Sequence, residues 1–133
     1  MRIVFCLFVI FLTAGCNKEQ MQRDAVVSAM TSGQWKVVRF ISAGTDVTAD
    51  FADIKFQFKE NQTVDALRNN TVDKTGNWNA DATARTITSS FVNGGYPLTM
   101  LNGTWKITNN SWTFVEANLT INSETRQLRL EKL

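Results

Sequence analysis

From Gln34 to Leu130 the chain is broken into short runs that alternate apolar and polar residues, each bounded by Asn, Asp, Gly or Ser. Ile54-Lys55-Phe56-Gln57-Phe58-Lys59 is the clearest: Ile54, Phe56 and Phe58 fall on one side and the polar residues on the other. Side chains of a strand point alternately to opposite faces, so a period of two predicts a strand with one buried face. Glu60-Asn61-Gln62 reads as a turn into Thr63–Leu67, which makes a hairpin. Asn77–Ala80 and Ala84–Phe91 pair around Asp81, and Gly103–Thr108 and Trp112–Glu116 pair around Asn109-Asn110. Leu119–Ile121 and Arg126–Leu130 pair around Asn122-Ser123-Glu124. Val92–Leu98, with Gly94-Gly95 and the single Pro, reads as a loop. Many short strands with no helices between them imply an antiparallel barrel or sandwich.

One tripeptide recurs. Gly33-Gln34-Trp35, Gly76-Asn77-Trp78 and Gly103-Thr104-Trp105 each set Trp two residues after Gly, at an expected strand start. Glycine lets backbone bend where a barrel turns a corner, and an indole is large enough to close a barrel end.

The first residues have another character. Met1-Arg2 precedes the apolar run Ile3–Leu12, the layout of an export signal and too short for a spanning helix, which takes roughly 20 residues. The run ends in Thr13-Ala14-Gly15-Cys16, small residues followed by cysteine, which resembles the lipobox of bacterial lipoproteins. Residues 1–15 are expected to be removed, and Cys16 to carry a diacylglyceryl group that holds the protein on a membrane. Cys6 leaves with the signal, so Cys16 becomes the sole cysteine; lipidation removes the liability of a free thiol in an oxidising compartment. Asn17–Gln22 reads as a polar tether. Met21, Ala25, Val26, Ala29 and Met30 form the stripe of a short amphipathic helix that Thr31-Ser32-Gly33 stops. Residues 16–32 are therefore tether and helix, and residues 33–133 one all-β domain.

Composition narrows the chemistry. The chain has no His, and Cys16 is committed to lipid, which removes His- or Cys-based nucleophiles, the corresponding metal sites and thiol redox chemistry. An enzyme is not expected, nor is a cofactor. Lys and Arg number 14 and Asp and Glu 12, with no basic stripe, so nucleic acid is not an expected partner. Asp46, Asp50 and Asp53 follow the first strand but lack calcium-loop spacing, and read as a solvated acidic loop. The Asn-x-Ser/Thr triplets at Asn61 and Asn102 mark exposed turns.

Gly33-Gln34-Trp35-Lys36-Val37-Val38, Asp46–Phe51, Phe56-Gln57-Phe58, Gly76-Asn77-Trp78, Leu101-Asn102 with Trp105, and Arg126–Leu130 together resemble the lipocalin-like domains of small Bacteroidota lipoproteins. The resemblance spans residues 33–133 and departs at Glu60-Asn61-Gln62, where Asp-Gly is more usual. It implies an up-and-down β-barrel of about eight short strands, export and outer-membrane attachment, and little about a ligand.

Trp35, Trp78, Trp105 and Trp112 could stack on a sugar or line an apolar pocket, or could simply fill the core. Roughly 100 residues make short strands, and these Trp with Phe40, Phe56, Phe58 and Phe114 would occupy much of the interior of a barrel about eight strands round. If Leu128 and Leu130 point inward, Arg126 does too, and it could stack on Trp35 or meet a ligand. Arg39 shares a phase with Trp35 and Val37, but Val38 and Phe40 are opposite, so a bulge would decide its side. Two functions follow: a tethered binding module for a small ligand or glycan, or a filled barrel that contacts envelope proteins through its exterior. A Trp-lined cavity favours the first and a solid interior the second.

Overall fold

The alternating segments become a closed antiparallel barrel. The computed structural model describes residues 15–133; the expected signal segment up to Ala14 and the side chain of Cys16 lie outside what it describes. A helix, α1 (Gly15–Thr31), precedes nine strands: β1 (Trp35–Ser42), β2 (Thr45–Asp46), β3 (Ile54–Phe58), β4 (Thr63–Arg68), β5 (Thr71–Asp81), β6 (Thr86–Ser90), β7 (Gly103–Asn110), β8 (Phe114–Ile121) and β9 (Glu124–Lys132). Strands β3 to β9 follow one another in order, and β1 pairs with both β3 and β9, which closes eight strands; β2 is a two-residue addition beside β1. The expected up-and-down barrel behind a short helix is the fold observed.

The closure is uneven. Strand β1 runs along β9 from Trp35↔Lys132 to Ser42↔Arg126 but meets β3 only at Trp35↔Phe56. Above that point the free edge of β1 is taken up locally. Val47 donates to the Phe40 carbonyl at 2.9 Å, Thr48 Oγ1 accepts from the Phe40 amide at 2.8 Å, and a 3-10 turn (Thr48–Phe51) drops Phe51 into the seam. Phe51 is fully buried and stacks on Phe40, with ring centroids 5.0 Å apart. A bulge between Val37 and Arg39 shifts the phase of β1, so Val37 and Phe40 both face the core while Arg39 faces solvent. That settles the side Arg39 takes.

Two hairpins depart from the sequence reading. The β7–β8 turn is at Ser111–Thr113 rather than Asn109-Asn110, because β7 continues through Asn110 and bulges between Ile107 and Asn109. Strands β4 and β5 form a further hairpin through Asn69-Asn70, both at positive φ, a conformation that two-residue turns need and Asn tolerates. Gly76 is mid-strand in β5 rather than at its start. A Cβ there would sit 2.6 Å from the Ser90 carbonyl and 2.8 Å from the Phe91 ring, so glycine is required for strand β6 to approach.

Both barrel ends are covered. At one end the C-terminal turn of α1 seats Met30 in the core. At the other, Phe51, Phe91, Leu98 and Leu101 descend from loops. The helix stripe is only partly used: Met30 is buried and Val26 half-buried, whereas Met21 and Ala25 are exposed. Helix also extends through the segment expected to be a tether.

Candidate functional site

The barrel interior is the first place to look for a ligand, and side chains fill it. Trp35, Trp78 and Trp105 are all buried, alongside Phe40, Phe56 and Phe58. The space left among Met30, Phe56, Phe91, Leu101, Trp105 and Leu128 is about 40 Å³ and is lined almost wholly by apolar atoms. A drug-sized ligand needs roughly 300–1,000 Å³. An apolar void of this size has room for no more than a few waters and offers them almost no polar partners.

Each buried indole also ties down a chain segment. Trp35 Nε1 donates to the Met30 carbonyl (2.9 Å), Trp78 Nε1 to Lys59 (2.9 Å) and Trp105 Nε1 to Leu101 (2.8 Å). A buried N–H without an acceptor is costly, so each ring is satisfied by the terminal turn of a helix or loop. The three Gly-x-Trp units thus peg α1, the β3–β4 turn and the second 3-10 turn (Leu98–Leu101) to the barrel.

The other two sequence candidates lie elsewhere. Trp112 sits in the β7–β8 turn, 58% exposed, and belongs to no core. The alternation places a strand over Trp112–Glu116, but β8 begins two residues later, at Phe114. Arg126 does share the inward phase of Leu128 and Leu130, but it is at the opposite end from Trp35. There it donates from Nη1 to the Met100 carbonyl at 3.0 Å, and its Nε lies 3.8 Å from Glu124, too far for a hydrogen bond. Glu124 instead accepts from the Ser42 hydroxyl. The cation over Trp35 is Lys132, whose Nζ lies 5.0 Å from the ring centroid and donates to Ala29 O (2.9 Å) and Ser32 Oγ (2.8 Å). A cation on the last carbonyls of a helix is favoured by the helix dipole, so Lys132 holds the C-terminus of α1 over the barrel mouth.

A cleft outside the barrel is larger than the void within. It opens between α1 and the rim, has a volume of about 310 Å³, and is lined by Gln22, Ala25, Val26, Arg85, Ile107 and Asn110 among others. Neither a tryptophan nor Arg126 reaches it. Nothing in the sequence marks it, because it arises from how the helix leans across the β5–β6 turn.

The acidic residues do not converge. Asp46 accepts from both the amide and the hydroxyl of Thr48, chiefly the hydroxyl, which holds its carboxyl below the ordinary range. Asp50 accepts from the Tyr96 hydroxyl, which pushes the Tyr96 phenol up, and Asp53 pairs with Arg68 at 2.7 Å. Among the described residues, no group of three or more His, Cys, Asp or Glu is placed to hold a metal ion. Outside the barrel wall, Asp65 is buried beneath Lys59 (2.7 Å) and Thr75 Oγ1 (2.8 Å). The bond from Lys59 holds its carboxyl below the ordinary range, against the opposing effect of burial. Arg129 bridges Glu116 and Glu131 and lies 4.3 Å above the Phe114 ring, and the two carboxylates push its guanidinium pKa up.

With this geometry the chain was compared with known proteins. No family model matches it, and no curated protein does. Among solved structures it is similar to a DUF4847 family protein from Bacteroides vulgatus, with a TM-score of 0.54 and 16% identity, over 80% of this chain and 96% of that one. The likeness is one of fold: a small β-barrel. No helix among the described residues is long and apolar enough to cross a membrane.

Proposed function

We propose that this protein is a non-catalytic lipoprotein of the cell envelope, anchored through Cys16, whose filled barrel works through its outer surface. The observation that carries this reading is the residual interior of about 40 Å³, an order of magnitude below what a small ligand requires. The anchor rests on the Thr13-Ala14-Gly15-Cys16 sequence after an export signal, and the outer membrane on the resemblance to Bacteroidota lipoproteins. Without His, and with the Asp and Glu side chains spread over the surface and most of them tied to Arg, Lys or hydroxyl partners, the surface offers recognition rather than acid–base chemistry.

Native mass spectrometry of the mature protein, purified from its own envelope, tests the filled-barrel reading. The expected mass is polypeptide plus acyl groups alone; a stoichiometric additional mass that persists when the cleft beside α1 is filled by Ile107→Trp overturns it. The anchor is tested separately: a Cys16→Ser variant should lose membrane partitioning, and a variant that still pellets with membranes overturns lipidation.

A second reading has one observation in its favour. The cleft beside α1, at about 310 Å³ and with both apolar and hydrogen-bonding walls, is large enough for a small ligand or a glycan unit. In that case the extra mass in the same experiment disappears when Ile107 is replaced by Trp, which fills the cleft.

A further inference from the structure

The helix-covered end of the barrel differs from the opposite end in ways that bear on what it faces. Three hairpin turns share this end with α1: Lys59–Gln62, Ala82–Arg85 and Ser111–Thr113. Helix α1 leans over the second of them, since Gln20, Arg23 and Asp24 line a depression together with Asn79–Thr83. Cys16 is one helical turn before Gln20, roughly 6 Å along the axis. An anchor at Cys16 therefore holds this rim, and no other part of the barrel, next to the membrane.

The rim carries what an interface with lipid headgroups selects. Trp112 is the one tryptophan of four that is exposed; the other three are at most 4% accessible. It projects from the β7–β8 turn, and Leu133, 62% exposed, follows Lys132, whose amide bonds to Thr113 O. Lys132 Nζ lies 5.8 Å from the Trp112 ring, so the indole has a cation beside it. Indoles concentrate at membrane–water interfaces because the ring is apolar and the N–H needs a polar neighbour.

Charge is distributed in the same sense. The rim has Lys36, Lys59, Arg85, Lys106, Lys132 and Arg23 of α1 against Glu60, Asp65, Asp81, Glu131 and Asp24 of α1. The opposite end has Asp46, Asp50, Asp53, Asp73 and Glu124 against Lys55, Arg68, Lys74 and Arg126. An anionic leaflet attracts the first set and repels the second.

We infer that the helix-end rim docks on the leaflet that holds the anchor, with Trp112 and Leu133 in the headgroup interface and the acidic loop end pointing away. The inference rests on lipidation of Cys16. It goes further, because it fixes the orientation of the barrel rather than only its tether.

The experiment uses the full lipidated protein in vesicles of phosphatidylethanolamine and phosphatidylglycerol, with and without brominated acyl chains. Brominated lipid should quench the emission by roughly a tenth to a quarter, Trp112 being one of four Trp. Trp112→Phe should abolish most of that quenching while leaving vesicle flotation and near-ultraviolet dichroism unchanged. Flotation without quenching, or quenching that persists in Trp112→Phe, overturns the docking and leaves the anchor intact. Failure of the wild-type protein to float overturns both, because nothing then holds the rim at a membrane.

Discussion

The two ends of the barrel are closed by different means. At the loop end, Phe51, Phe91, Leu98 and Leu101 pack on Phe40 and Trp105 as a continuation of the core, with Phe40 stacked on one ring and edge-on to the other. At the helix end, Met30 in the core, the half-buried Val26 and Val27 against it, one indole bond (Trp35 to Met30 O) and one lysine (Lys132 to Ala29 O) hold α1, while Gln20–Ala25 are exposed. The loop end is part of the folded body. The helix end is a lid on fewer attachments, so it should open at lower cost than the loop end.

The largest test of that contrast is Phe51→Ala, which should cost about 3–5 kcal/mol because a fully buried ring leaves a cavity in the barrel seam. Met30→Ala should cost about 2 kcal/mol, the low end for a buried methionine, since water can enter the mouth it vacates. Both are read from chemical denaturation, and a larger loss at Met30 than at Phe51 would reverse the comparison. Lys132→Met should remove about 1 kcal/mol and, more tellingly, speed amide exchange in α1 while leaving β4 to β8 protected.

These contrasts were only partly legible in the sequence. Ile54, Phe56 and Phe58 announced β3 because one face of that strand is core and the other solvent. Thr71–Thr75 announced nothing: both faces of this half of β5 are exposed, so no alternation is selected. The Val37–Arg39 bulge was visible as a broken phase, Val37 and Phe40 being three apart, although only the fold could say which side Arg39 takes. For Arg126 the phase was right and the partner wrong. Alternation places a side chain inside or outside but not at which end, and Lys132, six residues on, is the one that reaches Trp35. Trp112 misled for a simpler reason. A large aromatic beside an alternating run looks like its first member, and a turn set two residues later carries it out to solvent.

Smaller effects sharpen the picture away from the two ends. The folded-state pKa of Asp65 lies below its unfolded value, so the stability it contributes is complete above the unfolded pKa and is lost as pH falls through the folded one. Denaturation midpoints measured from neutral pH down through ~4 and lower should therefore fall less in Asp65→Asn than in the wild type over that range. The loss is modest, because Lys59 is half exposed and water screens the pair. Smallest of all, Trp112→Phe should alter the stability of the protein in detergent-free buffer by no more than about 0.5 kcal/mol. A clear destabilisation would mean that Trp112 helps to hold the lid.

The pairing of β1 with β9 has a consequence in time. Ser42 meets Arg126, and Trp35 meets Lys132, in the strand pairing of greatest sequence separation in the sheet, so the barrel cannot close until β9 is present. Contacts of high sequence separation form slowly, because loop-closure entropy is spent before they repay it. Until β9 arrives, β1 has only its single bridge to β3 and the short β2 to pair with, and the barrel stays open.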